Sequence, residues 1–154
     1  MKSRNRSRPF GLYLLTACLL FLSLGGFYGG VAFLADPSGG ILQVEVSILK
    51  GLPLKDFTLP GLFLLVGYGI LPLILLYSLW QRPRWAWMDS LNRWSRHHWA
   101  WTATLALSLV LIIWISVQLI LIGFQAPVQA ITALIGLLIL MLSLLPSVRR
   151  YYAE

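Results

Sequence analysis

The sequence predicts an all-α membrane protein built as a bundle of four transmembrane helices. Of its 154 residues, 58% are apolar and only 11% are charged, and the mean hydropathy is +0.79. A soluble chain of this length could not bury so much apolar surface. The charges are also sorted, because long stretches carry none and the ionisable groups gather at the ends and in two connecting segments. Both features are typical of a polytopic membrane protein.

Four uncharged apolar runs place the predicted spans at residues 10–35, 59–80, 100–123 and 127–145 of a single domain, 1–154. Each run reaches or approaches the roughly 20 residues that a helix needs to cross about 30 Å of hydrocarbon. Because lipid offers the backbone no hydrogen-bond partner, we expect these runs to be helical. The first run is longer than the apolar core of a secretory signal, so we interpret it as a retained span.

The distribution of lysine and arginine predicts the orientation. Basic residues fill the N-terminal tail, the connector 81–99 and the C-terminal tail, whereas the loop 36–58, of about 23 residues, has two lysines offset by three acids. Because positive residues are retained in the cytoplasm, we expect both termini and the connector there and the loop 36–58 outside. Membrane flanks also explain the net charge of +7, so no nucleic-acid partner is predicted.

Six of the seven tryptophans lie at or beside the connector: Trp80, Trp85, Trp87, Trp94, Trp99 and Trp101. Amphipathic indole rings prefer the headgroup level of a bilayer. The pattern from Trp85 to Ser95 predicts an interfacial amphipathic helix, with Arg84, Arg93 and Arg96 reaching lipid phosphates. Aromatic recognition of a protein partner is the alternative interpretation.

Small residues and prolines predict helix contacts. The first span contains Gly25, Gly26, Gly29 and Gly30, two overlapping small-xxx-small pairs that would let another backbone approach closely. Pro127 suits the first turn of span 4, so spans 3 and 4 are predicted to form a tight hairpin. Inside span 2, Pro72 should bend the helix, because it removes a backbone donor and crowds the preceding turn.

The outer loop begins with Asp36-Pro37-Ser38-Gly39, a strong turn signal, and we expect a short interfacial helix or an irregular loop after it. The same turn, followed by Leu52-Pro53-Leu54-Lys55-Asp56-Phe57 and then by Pro60-Gly61-Leu62, resembles a group of small, uncharacterised bacterial four-span integral membrane proteins. The resemblance covers the outer loop and most of the span pattern. It implies the four-span fold and a bacterial inner membrane, and it implies no activity.

Chemistry-bearing residues are sparse. The spans contain no Asp, Glu, Lys, Arg or His, which argues against a proton-coupled transporter and against an intramembrane carboxylate pair. The adjacent His97 and His98 would point about 100° apart on a helix and could not readily share a metal. Cys18, the only cysteine, has no partner for a disulfide. No catalytic residue, metal or cofactor is therefore predicted.

Polar residues in the outer half of the predicted bundle form the one candidate ligand site. They could line a cavity that opens outward, with acids of the loop over its mouth. In the alternative interpretation the glutamines bond within the protein, and the acids pair with Lys50, Lys55 or helix ends. The candidate residues are Gln118, Gln125, Gln129, Tyr28, Tyr68, Asp36, Glu45 and Asp56.

Two functional classes follow. The first is a non-enzymatic membrane protein that acts through contacts with a protein partner, as an accessory subunit or a homo-oligomer. The second is a protein that binds or translocates a lipid or small amphiphile through the outward cavity. Bound lipid is a further possible partner, and the bilayer itself is expected in both cases.

Overall fold

The computed structural model describes residues 8–153, and its helices confirm the predicted all-α class. Four helices are long and apolar enough to cross a membrane: span 1 (α1, Phe10–Ala35), span 2 (Thr58–Gln81), span 3 (α5, Trp99–Ile122) and span 4 (α6, Pro127–Leu144). Their ends lie within one residue of the ends expected from the apolar runs. The buried share of the spans runs from 39% in span 1 to 22% in spans 3 and 4, so most of their apolar surface faces outward.

Span 2 contains a π-helical segment directly before Pro72. It consists of α2 (Thr58–Phe63), the π segment Leu64–Ile70 and α3 (Leu71–Gln81). In a straight α-helix Pro72 would lack a donor and would crowd the carbonyl four residues earlier. The wider turn relieves this conflict, since the amide of Leu71 bonds to the carbonyl of Val66, five residues back. The disturbance expected at Pro72 is thus a π segment within a continuous helix.

The spans pack in a ring. Span 1 contacts spans 2 and 4, and span 3 contacts span 4 and the α3 part of span 2. A core of leucines, with Tyr68, Ile115 and Ile139, fills the space between them. A glycine also allows close packing of spans 3 and 4, because a Cβ added to Gly136 would lie 3.2 Å from the Leu111 side chain.

Spans 1 and 2 meet backbone to backbone at two of the four glycines. A Cβ added to Gly26 would lie 2.2 Å from the carbonyl carbon of Tyr68, and one added to Gly30 would lie 2.7 Å from the amide nitrogen of Leu65. The Ser23 hydroxyl reinforces this contact by donating to the carbonyl of Gly69 at 2.7 Å. The π segment is therefore held directly against span 1, at positions where only glycine fits.

One end of the bundle, here called the loop end, consists of residues 36–57 and 123–126. A turn follows Asp36, a 3-10 helix spans Val46–Leu49, and the amide of Phe57 donates to the carbonyl of Pro37. The rings of Phe33 and Phe57 stack with centroids 4.6 Å apart, which ties the loop to span 1. The loop thus combines a short helix with irregular structure.

The opposite end, here called the arginine-rich end, consists of Arg8, the connector 82–98 and residues 146–153. The connector contains α4 (Ala86–Leu91), and α7 (Pro146–Tyr152) follows span 4 after a break at Leu145. An isolated antiparallel bridge joins His97 to Ala153. The chain end described by the structure is therefore fastened to the connector.

Candidate functional site at the arginine-rich end

Two of the three candidate glutamines belong to the hairpin between spans 3 and 4. The Gln129 side-chain oxygen accepts from the amide of Gln125 at 2.7 Å and from the amide of Ala126 at 3.3 Å, and its nitrogen donates to the carbonyl of Gly123. The Gln125 amide group donates to the carbonyl of Ile122. Gln118 is half-buried one turn before the end of span 3. The Gln129 amide therefore caps the start of span 4.

The two candidate tyrosines lie in different environments. Tyr28 is 69% exposed on the outside of span 1, whereas Tyr68 is 2% exposed inside the bundle. The Tyr68 hydroxyl is buried and has no hydrogen-bond partner among residues 8–153. The structure therefore does not place these two phenols in one cavity, and the outward ligand site stays a prediction.

The loop acids bond to their own neighbourhood. Asp36 accepts from the Ser38 hydroxyl at 2.5 Å and from the amide of Ile41 at 3.0 Å, and these hydrogen bonds lower its pKa, the Ser38 hydroxyl most. The amide of Thr58, at the start of span 2, likewise lowers the pKa of Asp56. Glu45 accepts from the Ser47 hydroxyl. Asp36 and Asp56 therefore fix a turn and a helix start through backbone amides, whereas Glu45 bonds only to a neighbouring side chain.

Long-range contacts build the arginine-rich end. Tyr152 is 1% exposed, its hydroxyl donates to the carbonyl of Leu79 at 2.6 Å, and its carbonyl accepts from the amide of His98. Arg82 donates to the carbonyl of Tyr151, and its guanidinium carbon lies 3.9 Å from the Tyr151 ring centroid and 4.8 Å from that of Tyr152. These contacts join the end of span 2, the start of span 3 and α7. Burial also raises the pKa of the Tyr152 phenol, which stays protonated as a donor.

Tryptophans stiffen the same region. The indole N–H of Trp99 donates to the carbonyl of Pro83, that of Trp101 donates to the carbonyl of Ser143, and that of Trp80 donates to the Thr16 hydroxyl. The ring of Trp85 stacks on Trp99 at 5.0 Å. The predicted aromatic cluster is therefore divided, since some of its members hold the connector to the spans.

Other members of that cluster point away from the protein. Trp87, Leu91 and Trp94 are 59%, 72% and 98% exposed. Trp87 and Leu91 are four residues apart and lie on one side of α4, whereas Trp94 lies in the turn that follows the helix. The helix therefore covers only Ala86–Leu91 of the stretch from Trp85 to Ser95 predicted to be helical, and its interfacial position stays a prediction.

A polar cavity of about 280 Å³, here called the connector cavity, opens beside α4. Hydrogen bonds order its wall. The Asn92 side-chain amide donates to the carbonyl of His97 at 2.7 Å, and the Thr102 hydroxyl donates to the Ser95 hydroxyl. The lining residues are Arg84, Asp89, Asn92, Arg93, Ser95 and His97.

His97 contributes a neutral, oriented ring to the connector cavity. It stacks on Trp101 with ring centroids 4.4 Å apart. Burial, and then the positive charge of Arg149, lower the pKa of His97 below its usual value of 6.5, so the neutral form of the ring predominates at pH 7. The positive charge that faces the cavity therefore comes from Arg84 and Arg93.

Sequence reasoning assigned Arg84 and Arg93 to lipid phosphates but missed the cavity they share. The cavity depends on the path of residues 92–97, which is set by side-chain bonds to the backbone and by the docked chain end. A usable signal was the Asn92-Arg93-Trp94-Ser95 stretch, whose polar residues interrupt the helical pattern and favour a turn. Comparison of the chain with protein-family models, with curated proteins and with solved structures finds no match.

Proposed function

We propose that this chain is a non-enzymatic, multi-pass protein of a bacterial inner membrane, and that it acts through contacts between transmembrane helices. Its arginine-rich end lies in the cytoplasm and its loop end lies outside. The count of Lys and Arg supports this orientation, since ten of the twelve lie in the two tails and the connector. The absence of ionisable residues from the spans supports a role in assembly rather than in transport of protons.

The observation that carries the proposal is the division of the span 1 glycines. Gly26 and Gly30 are filled by the backbone of span 2, whereas a Cβ on Gly25 would meet nothing within 4 Å. Gly29 meets only a methyl group of Leu64, at 3.4 Å. The second small-xxx-small pair therefore remains open on the outer side of span 1, between the exposed rings of Phe21 and Tyr28.

A glycine in a helix interior costs about 1 kcal/mol relative to alanine. At Gly26 and Gly30, close packing of the span 2 backbone offsets this cost. The contact shows that this stretch of span 1 can pack against another helix backbone at close range. Within the single chain, Gly25 admits no neighbour, and Gly29 admits only the Leu64 methyl group. A second transmembrane helix packed on this face would use them in the same way.

We infer that the occupant is span 1 of a second copy. Gly25 and Gly29 form a notch and the neighbouring Phe21 and Tyr28 form projections, so the same surface on two helices is self-complementary about a two-fold axis. Such an arrangement needs no further element, and it leaves the cytoplasmic and outer ends of both copies accessible.

Self-association of the full chain in lipid nanodiscs or liposomes tests the proposal. We expect Gly25→Leu to abolish dimers detected by energy transfer between labelled copies, while leaving the melting temperature nearly unchanged. Gly67→Leu is the matched control, because Gly67 of span 2 is also open, with its nearest contact at 3.9 Å. A wild-type chain that stays monomeric, or equal effects of both variants, would remove the support for this function.

A further inference from the structure

Four of the seven arginines at the arginine-rich end form two contrasting pairs. Arg8 lies 4.3 Å from the centroid of the Trp80 ring, and Arg82 is held between the rings of Tyr151 and Tyr152. In contrast, no hydrogen bond or ion pair to another described residue occupies the exposed guanidinium groups of Arg84 and Arg93. Both of these line the connector cavity. The first pair holds the fold together, and the second pair faces an open space.

The rest of the connector cavity is polar and fixed. Asn92 and Ser95 are each bonded to a neighbour, which orients their remaining acceptor and donor groups. Asp89 shares the cavity with both arginines without forming an ion pair with either of them in the described structure. A ligand can therefore meet two guanidinium groups and one carboxylate at the same time.

Arg84 and Arg93 both line the connector cavity, and an arginine side chain matches phosphate oxygens because its planar fork donates two parallel hydrogen bonds. A carboxylate beside them repels a bare anion but accepts a hydrogen bond from a hydroxyl or ammonium group. The two arginines and the carboxylate together therefore favour a phosphate ester that carries a hydroxyl or ammonium group over inorganic phosphate. The volume of about 280 Å³ suits a ligand of headgroup size.

We propose that the connector cavity binds a phosphate ester through Arg84 and Arg93, and that Asp89 accepts a hydrogen bond from a hydroxyl or ammonium group on the ester. The ligand can be a soluble phosphate ester or the headgroup of a phospholipid. Asp89 follows Trp87 by two residues in α4, about 200° around the helix, so the Asp89 carboxylate and the exposed Trp87 ring lie on different sides of the helix. Experiment distinguishes a soluble phosphate ester from a phospholipid headgroup.

The experiment uses the full chain in nanodiscs of phosphatidylcholine, titrated with glycerol phosphate and, separately, with inorganic phosphate. We expect glycerol phosphate to bind, and expect Arg84→Gln or Arg93→Gln to weaken it by about tenfold or more. Arg96→Gln is the matched control, since Arg96 is exposed at the same end but does not line the cavity. It should change the affinity by less than about twofold.

Asp89→Ala gives a change of opposite sign for the two probes. It should tighten inorganic phosphate, because a repelling charge is lost, and weaken glycerol phosphate, because an acceptor is lost. The lipid arm repeats the comparison in nanodiscs that contain phosphatidylglycerol, with bound lipid measured by native mass spectrometry. Retention of phosphatidylglycerol that depends on Arg84 and Arg93, without binding of the soluble ester, assigns the cavity to a lipid headgroup.

Binding in neither arm, or equal losses in Arg84→Gln, Arg93→Gln and Arg96→Gln, would overturn the proposal, since the charges would then act only as a diffuse positive surface. The test is independent of helix association. Gly25→Leu lies in the outer half of span 1, so it should leave phosphate-ester binding unchanged whether or not the chain forms dimers.

Discussion

The two ends of the bundle use their polar residues in different ways. At the loop end, Asp36, Asp56 and Gln129 bond to groups at most six residues away in the chain. At the arginine-rich end, Tyr152 reaches Leu79 and Arg82 reaches Tyr151, separations of 73 and 69 residues. Polar groups that bond locally already have a partner and are not directed toward a ligand. Long-range bonds instead hold α7 against the ends of spans 2 and 3, and the connector beside them carries polar groups that face an open cavity.

The largest effect expected from this contrast concerns Tyr152, which is buried at the arginine-rich end, compared with Tyr28, which is exposed on span 1. Tyr152→Ala should destabilise the protein by about 3–5 kcal/mol, the usual cost of removing a large buried aromatic side chain. It also leaves the Leu79 carbonyl without the Tyr152 hydroxyl and removes one of the two rings beside Arg82. Tyr28→Ala removes an exposed ring and should leave the melting temperature of the single chain almost unchanged. Equal shifts of the melting temperature in thermal unfolding experiments would contradict the structural role given to the long-range contacts of Tyr152.

An intermediate effect is expected at the hairpin. Gln129→Leu should destabilise the protein by about 1–3 kcal/mol, because the amides of Gln125 and Ala126 lose their acceptor. Gln125→Leu serves as the control, since the Gln125 side chain is exposed and makes a single local bond. Thermal unfolding, together with mass spectrometry of copurified lipid, separates the two roles considered for Gln129. Loss of bound lipid from Gln129→Leu without loss of stability would restore the outward ligand site.

The smallest effect concerns pH. Hydrogen bonds hold the pKa of Asp36 below its ordinary value of 3.8. Their contribution to the stability of the folded protein is therefore complete above pH 3.8, and it is lost as the pH falls through the lower pKa of the folded state. We expect the amide resonances of Ser38 and Ile41 to shift together with a midpoint below pH 3.8. The bonds of Tyr152 should not respond in this range. A midpoint at or above pH 3.8 would show that the hydrogen bonds of the turn do not stabilise the charged form of Asp36.

The spans could be predicted because their signal is compositional and long. An uncharged run of 18 residues or more identifies a span whatever it packs against. The π segment could not be predicted in the same way. Pro72 announces a disturbance, but its form depends on the fit of Tyr68 and Gly69 against Gly26, which belongs to another span.

The candidate site shows the same limit. Gln129 carried a readable local signal, since a glutamine three residues after a helix N-cap commonly bonds back to the cap amide, and here it bonds to Ala126. The tail residues Tyr151 and Tyr152 carried no comparable signal, because their partners lie near residue 80 and in the connector. Polar residues that bond locally can be assigned from sequence, whereas the connector cavity also depends on the chain end docked at His97, which only the structure shows.

Sidedness is the most direct test of the account, because it requires the two ends to lie on opposite faces of the membrane. Single cysteines are introduced by Ser38→Cys at the loop end and Ser90→Cys at the arginine-rich end, each in a Cys18→Ser background. Both serines are accessible within the single chain. An impermeant thiol reagent applied to intact bacterial spheroplasts should label position 38 and should reach position 90 only after the membrane is opened. Labelling of position 90 in intact spheroplasts, or of both positions alike, would contradict the arrangement.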